Sequence, residues 1–192
     1  MKTYQVITAA TTYPVSLTEA KSHLKVDTTA DDTYIESIIK AATQLSEEYT
    51  NRFFINTVIE QYASSFAELQ TLFKSKVSAV AHVKYYDSDN SLQTLSASVY
   101  DTQLNYEPSQ IQLADGQSFP SITKRNDAVL ARYTVGYGSA ASDVPEIIKQ
   151  AILLTIGNFY ENRNSVVIGR IATELPMNVK WLLDTYKVQI VG

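Results

Sequence analysis

The sequence contains no cysteine. Thiol catalysis, thiolate metal sites and a disulfide framework are therefore excluded, and the fold is indifferent to redox conditions. Histidine occurs only at His23 and His82, and neither has an acidic or second histidine neighbour at the spacing of a zinc or iron site. Both read as surface or boundary histidines. Basic clusters are also missing. The longest is Lys124-Arg125, and 16 Lys and Arg against 20 Asp and Glu leave a net charge of −4. A protein that grips a nucleic-acid backbone needs a denser positive surface than this. The longest apolar stretch, AILLTI at Ala151–Ile156, is far short of the roughly 20 residues that cross a bilayer, so no membrane association is expected. The opening MKTYQVITAATTYPVSL has one Lys and no continuous apolar run. It does not read as a secretory signal, and synthesis in the cytoplasm is expected.

Chemistry is equally sparse. Gly136-Tyr137-Gly138-Ser139 has glycines but neither the setting of a serine nucleophile nor the spacing of a phosphate-binding loop, and it reads as a strand exit. The carboxylate pairs Asp31-Asp32 and Glu47-Glu48 fall at or near expected helix ends, where capping and solvation explain them better than acid/base catalysis or cation binding. No catalytic residue, metal or cofactor is assigned.

A chain of 192 residues can bury a core without staples, as one ordinary domain or a core domain with one sizeable insertion. Its first helix is signalled by Ser16, which can cap it, with Glu19 three residues on to return the bond. Leu17, Ala20 and Leu24 share one face of this short helix, which is expected to end near Val26. A second helix should start around Thr29 to Asp32 and run to about Thr50, with Ile35, Ile38, Ile39, Ala42, Leu45 and Tyr49 as its apolar stripe.

From about Phe53 to Gly138 the period changes. Val77, Ala79, Ala81, Val83 and Tyr85 alternate with Ser78, Val80, His82, Lys84 and Tyr86, the pattern of a half-buried strand. Asp87-Ser88-Asp89-Asn90 supplies a turn, and Leu92 to Leu95 returns as a hairpin partner. Short strands are expected at Val99–Thr102 and Gln110–Leu113, and a clearer one carries Val129, Ala131, Tyr133, Val135 and Tyr137 on its apolar face. Val58 to Phe73 fits neither period cleanly. Thr57–Ala63 is read as a strand.

In the last segment Asp143 can cap a long helix, with Pro145 in its first turn and Glu146 completing the box. Ile147, Ile148, Ala151, Ile152, Leu154, Ile156 and Phe159 leave this helix little polar surface before Glu161-Asn162-Arg163. That triplet fits either a helix terminus with local ion pairing or a contact between subunits. A mobile loop is expected from Asn164 to Glu174. Leu175-Pro176 then opens a final helix through Trp181, Leu182 and Leu183 to Tyr186. The class is α+β: two N-terminal helices (1–52), an inserted antiparallel β domain (53–140) and two C-terminal helices (141–192). Net charges of about −2, −2 and 0 for residues 1–52, 53–142 and 143–192 mark none of them as a basic module. Thirteen tyrosines suit contact surfaces, where a ring buries area while its hydroxyl stays satisfied.

The ends of the chain resemble the phage head-tail connector (adaptor) family in its long form. Pro14 to Asp27 is similar to that family's opening helix, and Asp31-Asp32-Thr33-Tyr34-Ile35 with Tyr49-Thr50-Asn51-Arg52 is similar to its second. Gly136-Tyr137-Gly138, Val144-Pro145, Ala151-Ile152, Tyr160-Glu161-Asn162-Arg163, Leu175-Pro176, Leu182-Leu183 and Tyr186 keep the family's order. The resemblance implies a small helical connector core and a non-enzymatic structural subunit of a tailed bacteriophage or prophage virion. Such a subunit joins a ring, commonly dodecameric, at the head-tail junction. The ring meets the portal protein above and a stopper or tail-completion protein below, and double-stranded DNA passes through its lumen without specific binding. A tail-completion or capsid-associated protein that makes its contacts through the β domain is the alternative. A ring needs two different faces that meet head to tail. The expected contact residues are Ile148, Ile152, Phe159, Tyr160, Glu161, Arg163, Trp181 and Tyr186.

Overall fold

A computed structural model describes residues 3–74, 76–163 and 175–188. The chain divides into two compact units, one holding the described residues of 11–50 and 138–187, the other those of 1–10, 51–137 and 188–192.

The first unit is helical. Helix α1 spans Leu17–Leu24. The Ser16 hydroxyl accepts the Glu19 N–H at 3.2 Å and the Glu19 carboxylate accepts the Ser16 N–H at 2.8 Å, the reciprocal box the sequence announces. Lys25, at φ 57°, ends the helix in the left-handed region. Helix α2 spans Asp32–Thr50. Its expected apolar stripe faces inward, and Thr43, Ser46 and Thr50 are buried beside it. Each of these hydroxyls donates to the carbonyl four residues back, at 2.8 Å. A small side chain that satisfies itself in this way can enter a helix interface without an unpaired polar atom.

Glu146–Glu161 forms a long helix, numbered α4 in chain order, with Pro145 at its N-cap position and no side-chain cap. Asp143 does not cap it. The Asp143 carboxylate instead accepts the Ala140 N–H at 2.9 Å and closes a 3-10 turn at Ala141–Asp143. A Cβ on Gly138 would collide with the Asp143 side chain, which would have to shift. Glu146 pairs with Lys149 at 2.8 Å rather than completing a box. Met177–Asp184 forms the last helix, α5, which stops short of Tyr186. Helices α1, α2 and α5 all pack on α4. The expected loop at Asn164–Glu174 lies outside the described residues.

The second unit is built on a five-stranded antiparallel sheet in the order β1-β2-β7-β3-β4. Its strands are β1 (Thr3–Thr8), β2 (Thr57–Ala63), β3 (Val77–Tyr86), β4 (Leu92–Thr94) and β7 (Val129–Val135), while β5 (Tyr100–Gln103) and β6 (Gln110–Leu113) pair separately. The core gathers Ile59, Ala63, Val83, Ala131, Tyr133 and Val135 beneath Phe66, Leu69 and Leu72. Tyr133 is fully buried. Its hydroxyl donates to Gln61 and accepts the Phe73 N–H at 2.9 Å, tying the segment after β2 to the centre of the sheet.

Three expectations change here. Thr3–Thr8, rich in β-branched residues but not expected as a strand, pairs with β2 as an edge strand. The alternation in β3 is broken by register shifts between Val77 and Ala79 and between Val80 and His82. Each bulge adds a residue and turns the side chains over. Val77, Val80, Val83 and Tyr85 therefore join the core while Ala79 and Ala81 are exposed. The ambiguous stretch after Ala63 holds α3 (Phe66–Leu69), where Ser65 accepts the Glu68 N–H at 3.2 Å and Glu68 accepts the Ser64 N–H at 3.0 Å.

Gly136 follows β7 at φ 135°, and a Cβ there would stand 2.7 Å from the Asn56 backbone nitrogen. Gly136→Ala should destabilise the protein by about 2–4 kcal/mol, the sum of backbone strain and overpacking. Urea unfolding followed by circular dichroism checks this, and an unchanged midpoint would contradict the close approach.

Candidate functional site

The end of α4 meets the start of α2 through four side chains. Asp31, just ahead of α2, accepts the Tyr160 hydroxyl at 2.6 Å and the Arg163 guanidinium at 2.9 Å. The guanidinium lies over the Tyr34 and Tyr160 rings, 4.5 and 4.6 Å from their centroids. Tyr34 in turn donates to the Phe159 carbonyl at 3.0 Å. A planar cation lying over two aromatic rings while bonded to a carboxylate is a geometry that arginine fills and lysine does not. The bond from Arg163, followed by that from Tyr160, holds the Asp31 carboxyl below the usual carboxylate range, and Asp31 pushes the Tyr160 hydroxyl up. Arg163 therefore makes the local ion pair, while Glu161 points to solvent.

The rest of the expected contact set separates by burial. Ile148 and Ile152 are fully buried and Phe159 is 7% exposed. Their apolar surface is packed inside the folded subunit. Tyr186 is half-buried. Trp181 is 71% exposed, and so is Met177, one helical turn before it on α5. The opposite face of α5 is pinned by Val179 and Leu183, which cluster with Ala151 and Leu175. Tyr49 holds the end of the helix by donating to the Asp184 carboxylate. Met177 is absent from the sequence-based set. The signal was present, because it stands at i−4 from Trp181 and off the stripe that anchors α5.

A groove of about 820 Å³ lies elsewhere on the helical unit. Val15, Leu17 and Ile39 line it with the 42%-exposed Tyr13, and Glu36, Ser37 and Lys40 of α2 also border it. In the β unit, Glu60 accepts the Tyr62 hydroxyl at 2.7 Å and Arg132 at 2.8 Å, and His82 approaches it at 4.0 Å. Burial, then Lys84 and Arg132, lower the affinity of His82 for a proton. Glu60 chiefly pushes the Tyr62 hydroxyl up to about 12. These neighbours make His82 part of a packed polar cluster on the sheet. His23 is exposed and lies beside Gly157 of α4, 3.6 Å from where a Cβ would be. Among the described residues there is no cluster of three potential metal ligands and no helix long and apolar enough to cross a membrane.

The model of the phage gp6-like head-tail connector protein family matches residues 14–115. The chain belongs to this family. The match covers α1, α2 and the β block through β6, so the connector signal extends into the β strands, and the C-terminal motifs lie beyond it. No curated protein sequence matches. Among solved structures, the chain is similar to one in the neck of an empty GTA particle computed with C6 symmetry, at a TM-score of 0.75 and 20% identity over 98% of this chain and 97% of that one. A chain in the virion of the native gene transfer agent particle matches at 0.75 and 21%, over 98% and 96%. One in the neck of the native particle computed with C12 symmetry matches at 0.74 and 20%, over 98% and 97%. At these identities the likeness establishes the fold: the connector-family chain has the α+β architecture of these neck and virion chains.

Because the folded state holds Asp31 below its ordinary range, the stabilisation is complete above that range and is lost as the pH falls through the lowered value. The protein should lose stability below about pH 4, and Asp31→Asn should lose less over the same interval. Urea midpoints at pH 7 and pH 3 for the two proteins check this, and equal losses would contradict it.

Proposed function

We propose that this chain is a non-enzymatic, structural head-tail connector subunit of a tailed bacteriophage or prophage. In this reading it is made in the host cytoplasm and forms a ring, dodecameric in the virion, below the portal protein and above a stopper or tail-completion protein. The observation that carries the proposal is the family match across residues 14–115. The shared fold with chains of GTA necks computed with sixfold and twelvefold symmetry supports it. The helical unit is the connector core and residues 53–140 are an insertion between its helices. A net charge of −4 without a basic cluster suits a channel through which DNA slides without being held by its phosphates. Of the expected contact residues, Trp181 is the strongest candidate for the face that meets a neighbour, because a large exposed aromatic gains most from leaving water.

Native mass spectrometry of the chain, alone and with its cognate portal, tests the reading. It should reveal a closed ring, and a protein that stays monomeric and ignores the portal would contradict it. Portal binding lost on changing the β unit's surface but not the helices would favour a tail-completion or capsid-associated role. Trp181→Ala should weaken ring assembly by on the order of tenfold or more. Its urea stability should stay within about 0.5 kcal/mol of the parent, since an exposed side chain contributes little to folding.

A further inference from the structure

We infer that Met177 and Trp181 of one subunit seat in the groove lined by Tyr13, Val15 and Ile39 on the next copy of the chain, and that this contact joins the ring head to tail. The inference rests on the ring reading above and adds the two surfaces that meet. The ridge is built to stay outside. Both side chains are 71% exposed, one turn apart, on a helix whose other face is anchored by the fully buried Val179 and Leu183. They cannot turn inward without unpacking α5.

The groove has the matching character. Its floor includes Val15 and Ile39, and about 820 Å³ is enough for two large side chains. Its exposed rim carries one acid, Glu36, and one base, Lys40, which suits an uncharged ridge and offers nothing to an acidic or basic partner. At 71% exposure neither ridge residue occupies the groove of its own subunit. The ridge is fastened near Leu45 and Tyr49, while the groove borders Glu36 to Lys40, nine residues earlier on α2 (36 to 45, 40 to 49). At a rise of 1.5 Å per residue this separates them by roughly 13 Å. A second copy supplies the occupant because one chain carries both halves. Unlike surfaces at different places on one subunit make a heterologous contact, the kind that closes into a ring, whereas two ridges meeting each other would stop at a dimer.

The absence of native cysteine allows a direct test. Met177→Cys and Ser37→Cys both lie at exposed positions, and Trp181 is retained. The double variant and the two singles are assembled alone and with cognate portal, treated with a short thiol crosslinker and resolved under denaturing conditions, while native mass spectrometry reports ring formation separately. The inference expects a ladder of covalent multimers from the double variant and, at most, traces from the singles. The emission of the wild-type protein's single tryptophan should also move to shorter wavelength on assembly. Rings without a ladder, covalent dimers from Met177→Cys alone, or capture of portal in place of a second subunit would each overturn the inference and leave the ring reading intact. The absence of rings under either condition would overturn both.

Discussion

Helix α4 carries more apolar surface than one neighbour can cover, and the helical unit is arranged around hiding it. Ile148, Ile152 and Ile156 are fully buried, with Ala151 and Phe159 alongside. Helix α2 packs on α4, and its buried Thr43, Ser46 and Thr50 return their hydroxyls to their own helix, so α2 buries polar residues without orphaned donors. Helix α5 covers Ala151 and Leu154 from another side. The Asp31, Tyr160 and Arg163 bonds then fix the far end of α4 against the start of α2. With Ile148, Ile152 and Ile156 of α4 packed inside the subunit, the large apolar side chains that the helical unit leaves exposed include Tyr13, Ile147, Met177 and Trp181.

Local signals in the sequence were the most legible. The Ser16 and Glu19 box, the stripe of α2 and the hairpin at Asp87 to Asn90 are each written in a few neighbouring residues and recur in the structure. Features that depend on distant partners were not legible. Thr3–Thr8 has the β-branched composition of a strand but no clean alternation, and its pairing with β2 makes it an edge strand. The two shifts in β3 arise from its pairing with β7, and they reverse the face that simple alternation assigns to Ala79 and Ala81. Asp143 looked like a cap for α4, yet a closer N–H at Ala140 claimed it.

The contact residues show the same division. Apolar density pointed to α4 as a meeting face, but density cannot separate a core from an interface, and burial assigns Ile148 and Ile152 to the core. Arg163 lay in a triplet with two readings, and the carboxylate that supplies its local pairing stands 132 positions away in the chain, out of reach of any local pattern. Met177 was written in the sequence only as a position relative to Trp181. It becomes informative once Val179 and Leu183 define the other face of α5.

The connector reading joins a family match over the first helices and most of the β block with a fold shared with neck chains of GTA particles. It needs no chemistry from the side chains and asks only that the folded subunit meet its own copies and a portal. Electron microscopy of the chain mixed with its cognate portal tests that claim most directly. The account predicts a closed ring of this protein stacked on the portal, with an open channel along the shared axis. Portal particles without added density, beside free monomers, would contradict it.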